Sequence, residues 1–219
     1  MVKFKEPFNG ISHLMGGLAA VVVTVLLVRT AVIRGGIRAS APFLVYGLSM
    51  VLLYSASAWY HLLDVSPRAH VMLRRLDHVS ISILIAGSYT PVCLVALGGT
   101  LGTWLCWIVW GLAGIVILTD IFWLDAPRGL KAACYVILGW VAVWAMAPLQ
   151  RAIGWGGMAW MLAGGLAYSV GALLYAIKKP NPWPGVLGFH EIWHLFVLAG
   201  STGFVVLIWR YVLPLVKAV

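Results

Sequence analysis

The sequence predicts an all-α integral membrane protein, a bundle of seven transmembrane helices, and three observations carry that prediction. Of its 219 residues, 63% are hydrophobic and 10% charged, against roughly a quarter charged in soluble domains. Seven apolar runs are each long enough to cross ~30 Å of hydrocarbon, which takes about 20 residues. The breaks between them carry Gly, Pro and charged residues, as loops do.

The runs cover about 11–33, 42–63, 77–97, 101–124, 130–150, 157–177 and 187–213, and they read as one membrane domain over 1–219. The first follows MVKFKEPFNG, which has no small-residue cleavage site of the signal-peptide kind. Between the runs stand Arg34-Gly35-Gly36, Ser66-Pro67-Arg68, Gly98-Gly99, Asp125-Ala126-Pro127-Arg128, Gly154 and Lys178-Lys179-Pro180-Asn181-Pro182. Trp104, Trp123, Trp155, Trp183 and Trp209 fall near run ends, where indole favours the membrane interface. Cys93, Cys106 and Cys134 lie inside apolar runs without metal-ligand spacing and read as small buried hydrophobes.

Orientation follows from Lys and Arg. Nine (Lys3, Lys5, Arg68, Arg74, Arg75, Arg128, Lys131, Lys178, Lys179) fall on one side and six (Arg29, Arg34, Arg38, Arg151, Arg210, Lys217) on the other. The excess marks the first side as cytoplasmic, with the N-terminus inside and the C-terminus outside. The net charge of +9 is spread between apolar runs, a pattern that suits membrane lipid headgroups and not nucleic acid. No soluble protein partner is implied, and the oligomeric state is open.

This topology places all six acidic residues (Glu6, Asp64, Asp77, Asp120, Asp125, Glu191) and all six histidines (His13, His61, His70, His78, His190, His194) at or near the cytoplasmic side. The chemistry of the chain is therefore expected in the inner leaflet. Asp64, Asp120 and Asp125 read as solvated charges, with Arg68 or Arg128 as partners, and His13, His70 and His78 as packing residues.

The seventh run opens with GFHEIWHLF. His190 and His194, at i and i+4, lie about 40° apart on a helix, so both can address one ion. A third ligand has to come from another helix, and His61 ends the second run at the same depth. Ser57 is one turn before His61, and Asp77 begins the third run at that level. A carboxylate facing lipid at the bilayer centre costs roughly 2.5–3.5 kcal/mol, so Asp77 is expected to face the bundle. Residue spacing leaves packing histidines and a metal site both open. His-Glu-x-x-His also spells the motif of zinc proteases, with Glu191 as general base, but no Leu-Asp-Gly segment follows to complete such a site. The middle of the motif lets Glu191 flank the histidines without facing them.

Several segments resemble the hemolysin III family, the bacterial branch of the progestin and adipoQ receptor superfamily. They are Glu6-x-x-Asn9-x-x-x-His13, Ser57-x-x-x-His61, Leu76-Asp77-His78 through Ala86-Gly87-Ser88-Tyr89-Thr90-Pro91, Leu138-Gly139-Trp140, and His190-Glu191-Ile192-Trp193-His194 with Val197-Leu198-Ala199-Gly200-Ser201. The resemblance covers nearly the whole chain. It implies seven helices with a cytoplasmic N-terminus, a multi-pass protein of the bacterial plasma membrane, and a zinc ion on His61, His190 and His194. It further implies that Asp77 matches an aspartate that holds zinc-bound water in some relatives, and that Glu6 and Asn9 are structural or border the site. From spacing alone those two residues read as a helix cap or headgroup contact. One departure is Phe204, where many bacterial relatives carry histidine.

Three histidines with an open position suit a catalytic zinc, which lowers the pKa of bound water to roughly 7 and polarises a carbonyl. Asp77 would then accept a proton and Ser57 would bond the ligand. The expected substrate is an amide or ester of a long-chain acid, in line with the link between some superfamily members and ceramide hydrolysis. The alternative is a lipid-sensing, membrane-homeostasis protein with a structural zinc. A pore-forming or hemolytic protein, an intramembrane protease and a transporter fit less well. No amphipathic outer segment supports a pore, and no polar path crosses the outer half.

Overall fold

The computed structural model describes residues 5–183 and 186–217, so Lys3, counted in the charge bias, lies outside them. Its α-helices are α1 (Pro7–Ala39), α2 (Ala41–Leu62), α3 (Pro67–Pro91), α4 (Gly99–Phe122), α5 (Arg128–Gly139), α6 (Met146–Ile177) and α7 (Phe189–Leu207). Sequential helices pack on one another, and α7 returns to α1 to close the bundle. Large apolar side chains such as Leu18, Val22 and Val25 on α1 and Trp107, Ile108 and Ile115 on α4 remain exposed on the outside. Lipid solvates such a surface and water does not. The chain is an all-α, multi-spanning membrane bundle.

The count of spans differs from the expectation. Six helical stretches among the described residues are long and apolar enough to cross a membrane, not seven. The fifth and sixth expected runs belong to one stretch, Arg128–Ile177, of 50 residues, in which α5 and α6 are joined by a 3₁₀ segment, Trp140–Ala145. At 1.5 Å per residue a straight helix of that length would measure about 75 Å. The stretch instead doubles back. Gly154 has φ 64° and ψ 178°, a conformation that only glycine adopts without strain. Beyond it α6 packs on α5, and Trp140 Nε1 donates to Ser169 Oγ at 2.9 Å. A similar break at Gly35 and Gly36 ends the long part of α1 near the expected boundary.

Helix ends follow local rules. Ser66 caps α3, its hydroxyl accepting from the Ala69 N–H at 3.4 Å, and Pro67 opens the first turn. Pro91 cannot continue the α-helical bond pattern, and the chain runs into a wide π-turn over Val92–Leu97 that Gly98 ends at φ 61°.

Polar and small residues hold the helices together, as expected where lipid removes the hydrophobic drive for helix association. Tyr54 of α2 and Tyr168 of α6 both bond the Ser201 hydroxyl of α7, at 2.7 and 2.8 Å. Tyr89 of α3 donates to the Gly139 carbonyl at 2.6 Å and accepts from the Ala142 N–H at 2.8 Å, satisfying backbone groups where α5 changes pitch. A Cβ on Gly203 would come within 3.0 Å of the Gly164 backbone, so α6 and α7 approach this closely only through glycine.

Candidate metal centre

Two helices deliver three histidines to one point. His61 closes α2, while His190 and His194 stand one turn apart at the start of α7. One ligand atom from each lies within 4.8 Å of the others, a group able to hold a metal ion. His61 and His194 are 1% and 2% exposed. The three rings sit mutually edge-on, with centroids 4.8 to 5.1 Å apart, so they converge on a common centre instead of stacking.

The start of α7 is fixed by Glu191. Its Oε2 accepts from the Gly188 N–H at 2.8 Å, and its Oε1 accepts from Asn9 Nδ2 at 3.0 Å. The carboxylate therefore caps its own helix and neutralises part of the N-terminal dipole. With both oxygens engaged there, Glu191 is turned away from the role of base that the zinc-protease motif would give it.

Asn9 also donates to Glu6 Oε2 at 3.2 Å. That same oxygen accepts from His61 Nδ1 at 2.6 Å and lies 3.9 Å from His190 Nδ1. The hydrogen bond from His61 holds the Glu6 carboxyl down at about 2, below its usual range. Glu6 thus meets two of the histidines directly and Asn9 reaches them through Glu6, where residue spacing alone suggested a helix cap or headgroup contact.

Asp77 and Ser57 line the same cavity as His190 and His194, a space of about 310 Å³. Ser57 is buried on α2 one turn before His61, as its spacing predicts. His13, expected as a packing residue, is also in this wall. It is 3% exposed, its ring centroid is 3.9 Å from that of His194, and it meets Tyr54 edge-on at 5.1 Å. Neither His13 nitrogen has a hydrogen-bond partner among the described residues, and neither does His194 Nδ1. His70 also lines this cavity but is outside the three-histidine group, stacked on Tyr60 and 3.3 Å from Lys5 Nζ.

A second polar cluster was missed in the sequence. Asp120, expected as a solvated charge, is 1% exposed. Lys131 Nζ meets its Oδ1 at 3.0 Å, and the Tyr135 hydroxyl donates to its Oδ2 at 2.9 Å. His78 Nδ1 is 3.2 Å from Lys131 Nζ. Asp125 does pair with an arginine, but with Arg74 at 2.9 Å and not Arg68 or Arg128. The one sequence signal for Lys131 and Tyr135 was their four-residue spacing on α5, which puts both on one face.

Five residues of the cavity wall, Leu53, Ile81, Tyr135, Trp193 and Val197, also line an adjoining apolar groove. The groove runs between α3, α5, α6 and α7, past Leu84, Ile85, Trp140 and Phe204. Phe204, the departure noted in the sequence, stacks on Tyr168 there at 5.9 Å, away from the histidines.

Fold and site together define a class: multi-pass helical membrane proteins with a buried histidine cluster, able to hold a metal, at one end of the bundle. The chain belongs to the haemolysin-III related family, whose model matches residues 1–205. It is similar to Hemolysin-3 of Bacillus cereus, at 38% identity over 211 residues that cover 96% of this chain and 93% of that protein. A Hemolysin-3 homolog of Bacillus subtilis is 36% identical over 197 residues, 90% of this chain and 89% of the relative. At 25% identity the chain also matches the adiponectin receptor protein of Drosophila melanogaster, over 90% of its own length and 48% of the receptor's. These similarities tie it to the progestin and adipoQ receptor superfamily and to a bacterial, multi-pass membrane setting.

Proposed function

We propose that this chain is a zinc-containing membrane hydrolase that cleaves an amide or ester of a long-chain acid in the inner leaflet. His61, His190 and His194 are the metal ligands, Asp77 is the base and Ser57 holds the ligand. The observation that carries the reading is the shared wall between the histidine cavity and the apolar groove. A polar head can reach the histidines while an acyl chain lies among Leu84, Ile85 and Trp140.

The donor set fits zinc. Ligand atoms of three imidazoles lie within 4.8 Å of one another, and His61, His190 and His194 would hold the ion as a three-histidine donor set of the kind zinc takes. A buried imidazole nitrogen without a partner, such as His194 Nδ1, also marks a cluster that protein groups alone leave incomplete. Bound there, zinc would supply Lewis acidity toward a carbonyl and acidify water. Asp77, reaching the cavity from α3, takes up a proton as water attacks the carbonyl carbon. It returns that proton to the departing amine or alcohol. Ser57 donates its hydroxyl proton to an oxygen of the ligand.

The reading is tested with Asp77→Asn, which keeps shape and hydrogen bonding but loses the base. Detergent-purified protein is incubated with a panel of lipid amides and esters, and released fatty acid is measured beside zinc content. Zinc-dependent release that falls about 10²–10⁴-fold in a folded, zinc-loaded Asp77→Asn supports hydrolysis. If no lipid is cleaved above a chelated control and Asp77→Asn only lowers the melting temperature, the zinc is structural and the chain is a sensor.

The proposed topology has seven crossings, the hairpin at Gly154 supplying two, with the N-terminus inside and the C-terminus outside. The charge bias and the gathering of acids and histidines at one end support it. In a cysteine-free variant carrying one new cysteine, at Ser66 or at Ala152, an impermeant thiol reagent outside the cell should label only the second. The reverse pattern moves the site to the outer leaflet.

A further inference from the structure

Glu6 occupies the N-cap position of α1, yet its side chain makes no capping bond to that helix. The carboxylate is directed across to another one. Its Oε2 accepts the hydrogen bond of the His61 Nδ1–H at 2.6 Å, and His190 Nδ1 is 3.9 Å from the same oxygen. Two candidate ligands on different helices thus present the same ring nitrogen to one carboxylate.

The carboxylate is held by bonds of its own. The Glu6 backbone N–H donates to the His61 carbonyl at 3.0 Å. Asn9, 1% exposed, gives its amide NH₂ to both Glu6 Oε2 and Glu191 Oε1, at 3.2 and 3.0 Å. Two carboxylates brought this close repel each other. A double donor between them relieves that and fixes the spacing. The orientation of the Asn9 amide follows from its neighbours, because the reverse placement would set its oxygen against both acids.

Two consequences follow for a cation at the cluster. Donation through Nδ1 commits His61 to the tautomer whose lone pair is on Nε2, so the nitrogen turned away from Glu6 is the one free to ligate. Second, three imidazoles bring no charge, and a divalent ion in a low-dielectric site needs negative charge near it. Asp77 supplies one such charge from α3 and Glu6 the other from the segment before α1.

We propose that Glu6 is the positioning carboxylate of the metal centre, orienting His61 directly and His190 at longer range, with Asn9 as the brace that keeps it in place. The proposal rests on the zinc reading above. It assigns to the segment preceding the first helix a part in metal affinity and not only in folding. The competing role is a plain tether that pins the segment to the bundle. The two differ in a measurable way. Glu6→Gln keeps side-chain volume, an acceptor oxygen and the backbone bond to His61, so a tether largely survives it. A positioning carboxylate does not.

The test is the apparent zinc affinity of detergent-purified parent, Glu6→Gln, Glu6→Asp and Asn9→Ala, by competition with a chelator. Melting temperatures of loaded and chelator-stripped forms are measured alongside. Loss of an outer carboxylate partner of a metal-bound histidine lowers affinity about 10–100-fold, and Glu6→Gln should fall in that range. Glu6→Asp should recover part of the loss, and Asn9→Ala should show a smaller one. Stripped Glu6→Gln should melt with the stripped parent. Equal zinc affinity in Glu6→Gln and parent overturns the proposal. So does a Glu6→Gln melting deficit of the same size with and without metal, the mark of a tether. Should Glu6→Gln fail to fold, Asn9→Ala and Glu6→Asp decide, and parental affinity in both overturns it. A parent that binds no zinc removes the metal reading itself, an outcome distinct from the other three.

Discussion

Two groups of polar side chains are buried at the same end of this bundle, and they are balanced in different ways. Around Asp120 the charges close on themselves: Lys131 neutralises the carboxylate, Tyr135 donates to its other oxygen, and His78 lies against the ammonium. Around His61 and His194 the protein brings ring nitrogens, two carboxylates and an asparagine, but no Lys or Arg lies in hydrogen-bonding contact with the three histidines among the described residues. A buried group without its partner is costly, and proteins seldom leave one without use. The first cluster is complete as folded. The second leaves His13 and His194 nitrogens without partners among the described residues, room for the cation proposed above, and this contrast separates a structural polar core from a candidate site.

The comparison can be broken most forcefully at Lys131. Lys131→Met leaves Asp120 buried without its cation, which typically costs about 3–5 kcal/mol. Thermal unfolding in detergent should show a large fall in melting temperature, with zinc content per folded chain unchanged. Replacing both partners, Lys131→Met with Asp120→Leu, should recover most of that fall, because a matched apolar pair removes the uncompensated charge. A smaller loss is expected for Tyr135→Phe, about 1.5–3 kcal/mol for a hydrogen bond to a charged group. If Lys131→Met strips the metal as well, the clusters are one coupled unit and the contrast fails.

Much of this architecture was legible in the sequence because its determinants are local. Apolar run length reports a multi-spanning helical bundle, and Gly35-Gly36, Ser66-Pro67 and Gly98 mark breaks the structure keeps. The i, i+4 spacing of His190 and His194 fixes their common face, and the depth of His61 follows from its place at the end of a run. What stayed hidden depends on how helices are rotated against one another. Asn9 and Glu191 are 182 residues apart, and Glu6 and His61 are 55 apart. No periodicity says that these side chains meet. Asp120 read as solvated because its position near a run end says nothing of the lysine that α5 turns toward it. The span count differed for a related reason: Gly154 bends the backbone without ending the helical stretch, so two apolar runs share one element.

The central claim is that the open cluster holds zinc through His61, His190 and His194. Metal analysis of the detergent-purified parent beside His61→Ala, His190→Ala, His194→Ala and His70→Ala tests it most directly. The account predicts about one zinc per chain in the parent and in His70→Ala, and essentially none in the other three, because a site of three protein ligands does not survive with two. Full zinc occupancy after loss of any one of the three histidines would contradict it.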